Sequence, residues 1–220
     1  MSDIWDSVAP GWEASADFVD THLALATEVL LDAAGVEEGA AVLDLACGPG
    51  GAGLAAAARV GAGGSVLLSD GAAEMVAAAA RRAQAHAQVS TAVFDQGAIT
   101  APDGSFDAVI ARHGLMFVED GAGAVREAVR VLRPGGRYAA MTWGPREQNP
   151  WLGCVLDAVG EQFGVSFPPP NVRGPFSLAD PELLAGVLYD GGLEQVEVQS
   201  YATPMGVASL QEWWGRVVQL

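Results

Sequence analysis

Apolar residues along the chain fall into short continuous runs that alternate with longer segments of helical spacing. Residues 18–34 are apolar at helical spacing, with Asp20 or Thr21 suited to the first turn and Gly35 to the stop. The run AVLDL (41–45) reads as a buried strand, followed at once by CGPGGAG and an alanine-rich helix over 54–60. SVLLS (65–69) reads as a second strand ending at Asp70, 72–87 as a helix, and STAVF (90–94) as a third strand ending at Asp95. FDAVIA (106–111) makes a fourth strand. Over 121–132, Val125, Val129 and Leu132 share one face of a helix. Arg133, Pro134, Gly135 and Gly136 form a turn, and 137–143 a fifth strand. This alternation predicts an α/β fold built on a mostly parallel, doubly wound sheet with crossover helices.

After Gly144 the texture changes. A helix is expected over 151–163, then the proline-rich FPPPNVRGPF (167–176), which suits a loop lying over the domain. A helix resumes over 180–188, LEQVEVQSY (193–201) alternates like a sixth strand, and SLQEWWGRVVQL (209–220) is an amphipathic tail. Neither long linkers nor internal repeats interrupt this order. The organisation is a core with an N-terminal helical cap (1–145), a cap insert (146–180) and the end of the core (181–220).

Composition narrows the class. Half of the 220 residues are hydrophobic and 17% charged, which suits a globular chain with a full core. No apolar run reaches the roughly 18 residues that span a bilayer, and the acidic, aromatic start is unlike a signal peptide, so a cytoplasmic protein is expected. Cys47 and Cys154 stand far apart with no CxxC pairing, which suggests two thiols and neither a metal site nor a disulfide framework. The chain has no lysine, eleven arginines and a formal charge of −16. That surface repels phosphate backbones and argues against nucleic acid as partner. It also serves solubility, and neither the charge nor the motifs indicate an oligomeric state.

The chemistry gathers at Gly48-Pro49-Gly50-Gly51-Ala52-Gly53, a formal G-x-G-x-x-G between a strand and a helix. Without a Cβ at Gly48 and Gly50 the backbone can pass close to a ligand, at the carboxyl edge where open α/β sheets bind. A dinucleotide places an acid about 20 residues on, and Asp70 stands 22 after Gly48, so spacing alone leaves that reading open. Asp44 weighs the other way. A carboxylate just before the loop suits the cationic amino group and sulfonium of S-adenosylmethionine (SAM) better than a pyrophosphate.

Four motifs in order carry a resemblance. VLDLACGPGGAG is similar to motif I of class I methyltransferases, and VLLSD with the following AAEM resembles their second motif. DQGAITAPDGSFDAVIARHGLMF (95–117) resembles the segment leading into the fourth strand, and VLRPGGR (131–137) the turn before the fifth. The opening WDSVAPGW is similar to the start of the ubiquinone/menaquinone-biosynthesis-like (methyltransferase type 11) family. The likeness covers about residues 1–145.

It implies a Rossmann-like sheet ordered 3-2-1-4-5-7-6 and SAM as cofactor. Asp44 with the backbone of Ala46 and Gly48 would surround the methionine part, beside Gly50. Asp70 would accept from both ribose hydroxyls, Gly71 and Met75 would pack on the adenosine, and Asp95 and the Gln96 N–H would bind the adenine. The Arg112 backbone would close over the methionine. Ala72 departs from the family's frequent serine there. Each acid has a plainer reading: Asp70 and Asp95 as helix caps or turn formers, Asp44 as a solvated strand end. Asp107 reads as structural.

Methyl transfer from a sulfonium is a direct displacement, so alignment can supply about 7–11 kcal/mol. A base is needed only where the acceptor must lose a proton. His113 is placed for that role, although a histidine beside Arg112 more often packs or hydrogen-bonds; His22 and His86 read as structural or surface. Trp5 and Trp12 with Trp143, Trp151, Phe163 and Phe167 would enclose a small apolar or aromatic acceptor, or simply fasten the cap. The seventh strand is expected to be missing from these 220 residues, which suggests a fragment. Three functions compete: a SAM-dependent small-molecule methyltransferase, a non-catalytic SAM-binding module, and an NAD(P)-dependent oxidoreductase.

Overall fold

A computed structural model of the chain describes residues 2–165, 168–169, 172–203 and 206–217. Its centre is a five-stranded sheet of β1 (Ala41–Leu45), β2 (Ser65–Asp70), β3 (Val89–Val93), β4 (Phe106–Arg112) and β5 (Leu132–Met141), ordered 3-2-1-4-5. Every pairing is parallel. The strands alternate with α4 (Gly51–Val60), α5 (Ala73–Arg82) and α6 (Gly121–Val131), preceded by α1 (Ser2–Ala14), α2 (Ala16–His22) and α3 (Ala24–Ala33). α7 (Pro150–Phe163), α8 (Pro181–Asp190) and α9 (Leu210–Val217) follow.

Both faces of the sheet are covered, which is why the strands read as apolar runs. Val42, Val66, Leu68, Ala108 and Ile110 face α3, α4 and α5, whereas Leu43, Leu45, Val109 and Ala111 face α6. The period of two along each strand thus sorts one run into two cores. Asp107 is structural, as its sequence suggested: its Oδ2 accepts from the Ala41 N–H at 2.8 Å and its Oδ1 from Arg133 at 2.5 Å.

Two expectations about the sheet need correction. The turn at 133–136 lies inside β5, where pairing jumps from Phe106 opposite Leu132 to Ala108 opposite Arg137 and the intervening residues bulge out around Gly135 at φ +84°. The expected sixth strand does not form: residues 193–201 carry no ladder. Their alternation is still used, because Leu193, Val196 and Val198 pack on the core of α6 and α8 around Val125, Leu184 and Leu188. Alternation reports burial on one side, and an extended segment resting on helices satisfies it without pairing. The described residues hold no seventh strand either, so the outer edge of β5 has no sheet partner among them.

In the N-terminal cap the helix expected over 18–34 is broken at Leu23 into α2 and α3, and α1 precedes them. α1, with Pro10 inside it, lies on α5: Ala9, Ala72 and Met75 are buried together with Trp5, Val8 and Trp12 around them. No helix among the described residues is long and apolar enough to cross a membrane.

Candidate functional site

β1 delivers the chain to a tight loop at the carboxyl edge. Ala46 (φ +52°), Gly48 (φ +53°) and Gly50 (φ +89°) all take left-handed backbone, after which α4 opens at Gly51. The loop is pinned by β2: Cys47 N–H donates to the Ser69 carbonyl at 2.9 Å, and Gly48 N–H to Asp70 Oδ2 at 3.0 Å. Gly53 keeps α4 close to the sheet, since an ideal Cβ there would lie 2.0 Å from Leu68 Cδ2 and 2.8 Å from Asp44 Oδ2.

Asp44 sits under this loop, 1% exposed, and neither carboxylate oxygen has a hydrogen-bond partner. Burial pushes its pKa up to about 7; the Arg112 charge and the nearby Gly53 amide oppose the rise, while Asp70 and Asp20 add to it. The Gly53 N–H lies near enough to act on the carboxylate without meeting hydrogen-bond geometry. A buried, unpaired carboxylate costs several kcal/mol by the usual order of magnitude, so its solvated-strand-end reading fails. This donor set fits a cationic ligand group.

Asp70 is half-buried. Its Oδ1 accepts from the Ala72 N–H at 3.0 Å while Oδ2 holds Gly48, so it braces two loops, and burial raises its pKa. Asp95 is exposed at the end of β3; its Oδ1 accepts from Gly97 N–H at 2.8 Å and its Oδ2 lies near Gly71. Gln96 points inward instead, with Oε1 buried and unpartnered and Nε2 beside Gly114. Met75 is 2% exposed beneath α1, which occupies its outward side.

Aromatic rings flank the edge in two groups. His113, itself at φ +61°, stacks on Trp143 with centroids 4.0 Å apart and planes 9° from parallel, and Trp143 meets Trp151 edge-on at 5.3 Å. Trp5 meets Phe117 at 5.1 Å and Trp12 at 6.4 Å, bringing α1 to the exit of β4. Both His113 ring nitrogens and Trp12 Nε1 are buried without partners. Burial and the Arg112 charge push the His113 pKa down to about 3, so its ring is neutral near pH 7. Phe163 does not join either group: it ends α7 at 73% exposure. Phe167 lies outside the described residues.

Two open clefts, of about 390 and 380 Å3, lie elsewhere, one along α7 and one beside the 133–137 bulge. Neither is lined by a candidate site residue. Sequence reasoning missed two groups that hold this edge. Asp6 of α1 accepts from the Glu74 N–H at 2.9 Å and so caps α5, whose own N-cap is the side-chain-poor Ala72. Asp20 bridges Arg82 and Arg112. The charge pattern offers no local signal for either, since the partners lie far apart in sequence. The Arg112 side chain turns to Asp20 and Thr27, leaving only its backbone toward the edge. His22 is structural as expected, both ring nitrogens lying 2.8 Å from carbonyl oxygens, of Phe18 and Gly206.

A family described as a methyltransferase domain matches residues 43–140. A ubiquinone/menaquinone biosynthesis C-methyltransferase of Hahella chejuensis is 34% identical over 161 residues, 71% of this chain and 64% of that protein. The chain therefore spans less than two thirds of that relative. The protein of the same description from Bordetella parapertussis is 29% identical over 227 aligned residues, covering 96% of this chain and 85% of its own length. Among solved structures, a SAM-dependent methyltransferase from Aquifex aeolicus shares the fold at a TM-score of 0.60 and 20% identity, covering 76% of this chain and 79% of that one.

Proposed function

We propose that this chain is a class I SAM-dependent methyltransferase and that it methylates a ring carbon of a small hydroxylated aromatic molecule in the cytoplasm. The observation that carries the reading is Asp44, a buried carboxylate with both oxygens unpaired under a glycine loop. It suits the ammonium of the methionine moiety. A dinucleotide pyrophosphate beside the same group would set like charges together, which disfavours the oxidoreductase alternative.

When bound, SAM supplies a methyl group activated by its sulfonium. The chain's own residues orient and dry the site. Asp44 pairs with the ammonium, beside the backbone of Ala46, Gly48 and Gly50. Asp70 keeps lone pairs for the ribose hydroxyls while bracing Gly48 and Ala72. Asp95 and the Gln96 N–H receive the adenine, with Gly71 leaving room and Met75 beneath. The Arg112 backbone lines the methionine side.

The acceptor ring lies against Trp143 and Trp151 on one side and Trp5 and Trp12 on the other. His113, neutral and stacked, accepts a hydrogen bond from the acceptor hydroxyl and fixes its orientation. A site titrating at about 3 is a poor store for a proton near pH 7, so His113 aligns rather than acts as a strong base. The carbon as target is supported by the relatives' description as C-methyltransferases.

Calorimetric titration with S-adenosylhomocysteine and with NADH tests the cofactor, and Asp70→Ala should remove most of the homocysteine-compound affinity. Labelled SAM with a panel of quinols, phenols and amines tests the acceptor. Labelling confined to amines would overturn the ring-carbon reading, and binding without turnover on any acceptor would leave a SAM-binding module.

A further inference from the structure

The glycine loop is held from outside by a charged bridge of which only Arg112 lies within the four sequence motifs. Arg82, at the end of α5, donates Nη1 to the Pro49 carbonyl at 2.8 Å and Nη2 to Asp20 Oδ2 at 2.7 Å. Arg112, at the end of β4, donates Nη2 to Asp20 Oδ1 at 3.0 Å and Nη1 to Thr27 Oγ1 at 2.8 Å. Thr27 is itself buried in α3 and donates to the Leu23 carbonyl. The three charged side chains are largely shielded, at 11% exposure for Arg112, 19% for Arg82 and 27% for Asp20. Asp17 also approaches Arg82 at 3.5 Å but is fully solvated, so it adds little.

The bridge and the loop are in contact. An ideal Cβ on Gly51 would lie 1.8 Å from Asp20 Oδ1 and 2.7 Å from Arg112 Nη2. Gly51 is therefore glycine because the Asp20 carboxylate occupies the space a side chain would need. One acid of α2 thus fixes three things at once: the Pro49 turn through Arg82, the start of α4 through Gly51, and the charge of Arg112 at the end of β4.

We propose that Asp20 is a positioning residue for the cofactor site, bracing the glycine loop and balancing the Arg112 charge beside Asp44. This rests on the SAM site proposed above. The groups acting on Asp44 are Arg112 from β4, Asp70 from β2, Asp20 from α2 and the Gly53 amide from α4. Of these, Asp20 adds a small part to a rise that burial mainly causes and Asp70 also feeds, and Arg112 favours the charged form. Asp20→Asn removes the first influence and frees the second, so Asp44 ionises at lower pH. The same change weakens the brace, so the loop is less well placed for the ligand at every pH.

The experiment is calorimetric binding of S-adenosylhomocysteine across a pH range bracketing about 7, where Asp44 titrates. Asp20→Asn is expected to weaken binding about tenfold at the alkaline plateau, the scale of one lost charge-assisted hydrogen bond. Its acid midpoint should move to lower pH; because water admitted to Asp44 would move it the same way, Arg82→Lys is the control for loosening alone. Arg82→Lys keeps the charge but cannot hold Pro49 and Asp20 together, so it should lower the plateau and leave the midpoint in place. In a cycle of Gly51→Ala with Asp20→Ala, the double variant should bind better than the two single losses predict, because the clash partner is gone. An unmoved midpoint in Asp20→Asn with an additive cycle overturns the inference. A wild-type chain that binds no S-adenosylhomocysteine overturns the SAM site itself.

Discussion

Asp44→Asn separates what stabilises this chain from what makes it bind. In the folded protein the carboxyl titrates at about 7, against an ordinary 3.8. The folded chain therefore keeps a proton that the unfolded chain releases between about pH 4 and pH 7, and stability falls as pH rises through that window. At 1.36 kcal/mol for each tenfold difference, the full fall is about 4 kcal/mol, a large part of a domain's net stability. Asparagine has similar size and carries no charge, and it leaves a buried polar group as unpaired as the protonated acid does. Its advantage over wild type should thus be small near pH 4 and grow to about 4 kcal/mol by about pH 8. Urea denaturation of both proteins across this range measures it, and the difference between them cancels opposing contributions from the Arg-paired Asp107, Glu13 and Glu127, whose pKa values are lowered. The same variant should lose S-adenosylhomocysteine affinity, since the ligand's ammonium has lost its counter-charge. A variant that is less stable than wild type at about pH 8, or that binds as well, would refute the reasoning.

Three further outcomes follow from single contacts. Ala46→Gly relieves a left-handed alanine at φ +52° and should stabilise the chain by about 1 kcal/mol, read from the urea midpoint. Asp6→Ala removes the cap on the Glu74 N–H and should cost about 1 kcal/mol, with faster amide exchange in α1 and the first turn of α5. Trp143→Ala strips the ring stacked on His113 and should reduce turnover while leaving S-adenosylhomocysteine affinity within about twofold.

The five strands were legible because burial on both faces leaves short apolar runs that glycine or aspartate terminates, as at Leu45 and Asp70. The glycine loop and the acids after β2 and β3 were legible for the same reason: they sit where runs end. The segment 193–201 misled because Val196 and Val198 alternate for a helix surface and not for a ladder. Asp20 was visible only as an early-turn residue of a helix. Its partners Arg82 and Arg112 lie 62 and 92 positions away, and no local pattern links charges across such distances. Asp6 and Glu74, 68 apart, escaped for the same cause. Ala72, where the family that the sequence resembles often has serine, offers no side-chain cap, and Asp6 of another helix supplies it.

The first helix is bolted to α5 at two points, Asp6 on the Glu74 amide and Glu13 on Arg81 through paired bonds of 2.8 and 2.6 Å. Pro10 lies between them and deprives the Asp6 carbonyl of its helical donor. The ladder of α1 is thus one bond short midway, and the two contacts with α5, with Ala9 buried between them against Ala72 and Met75, take over the task of holding the helix in place.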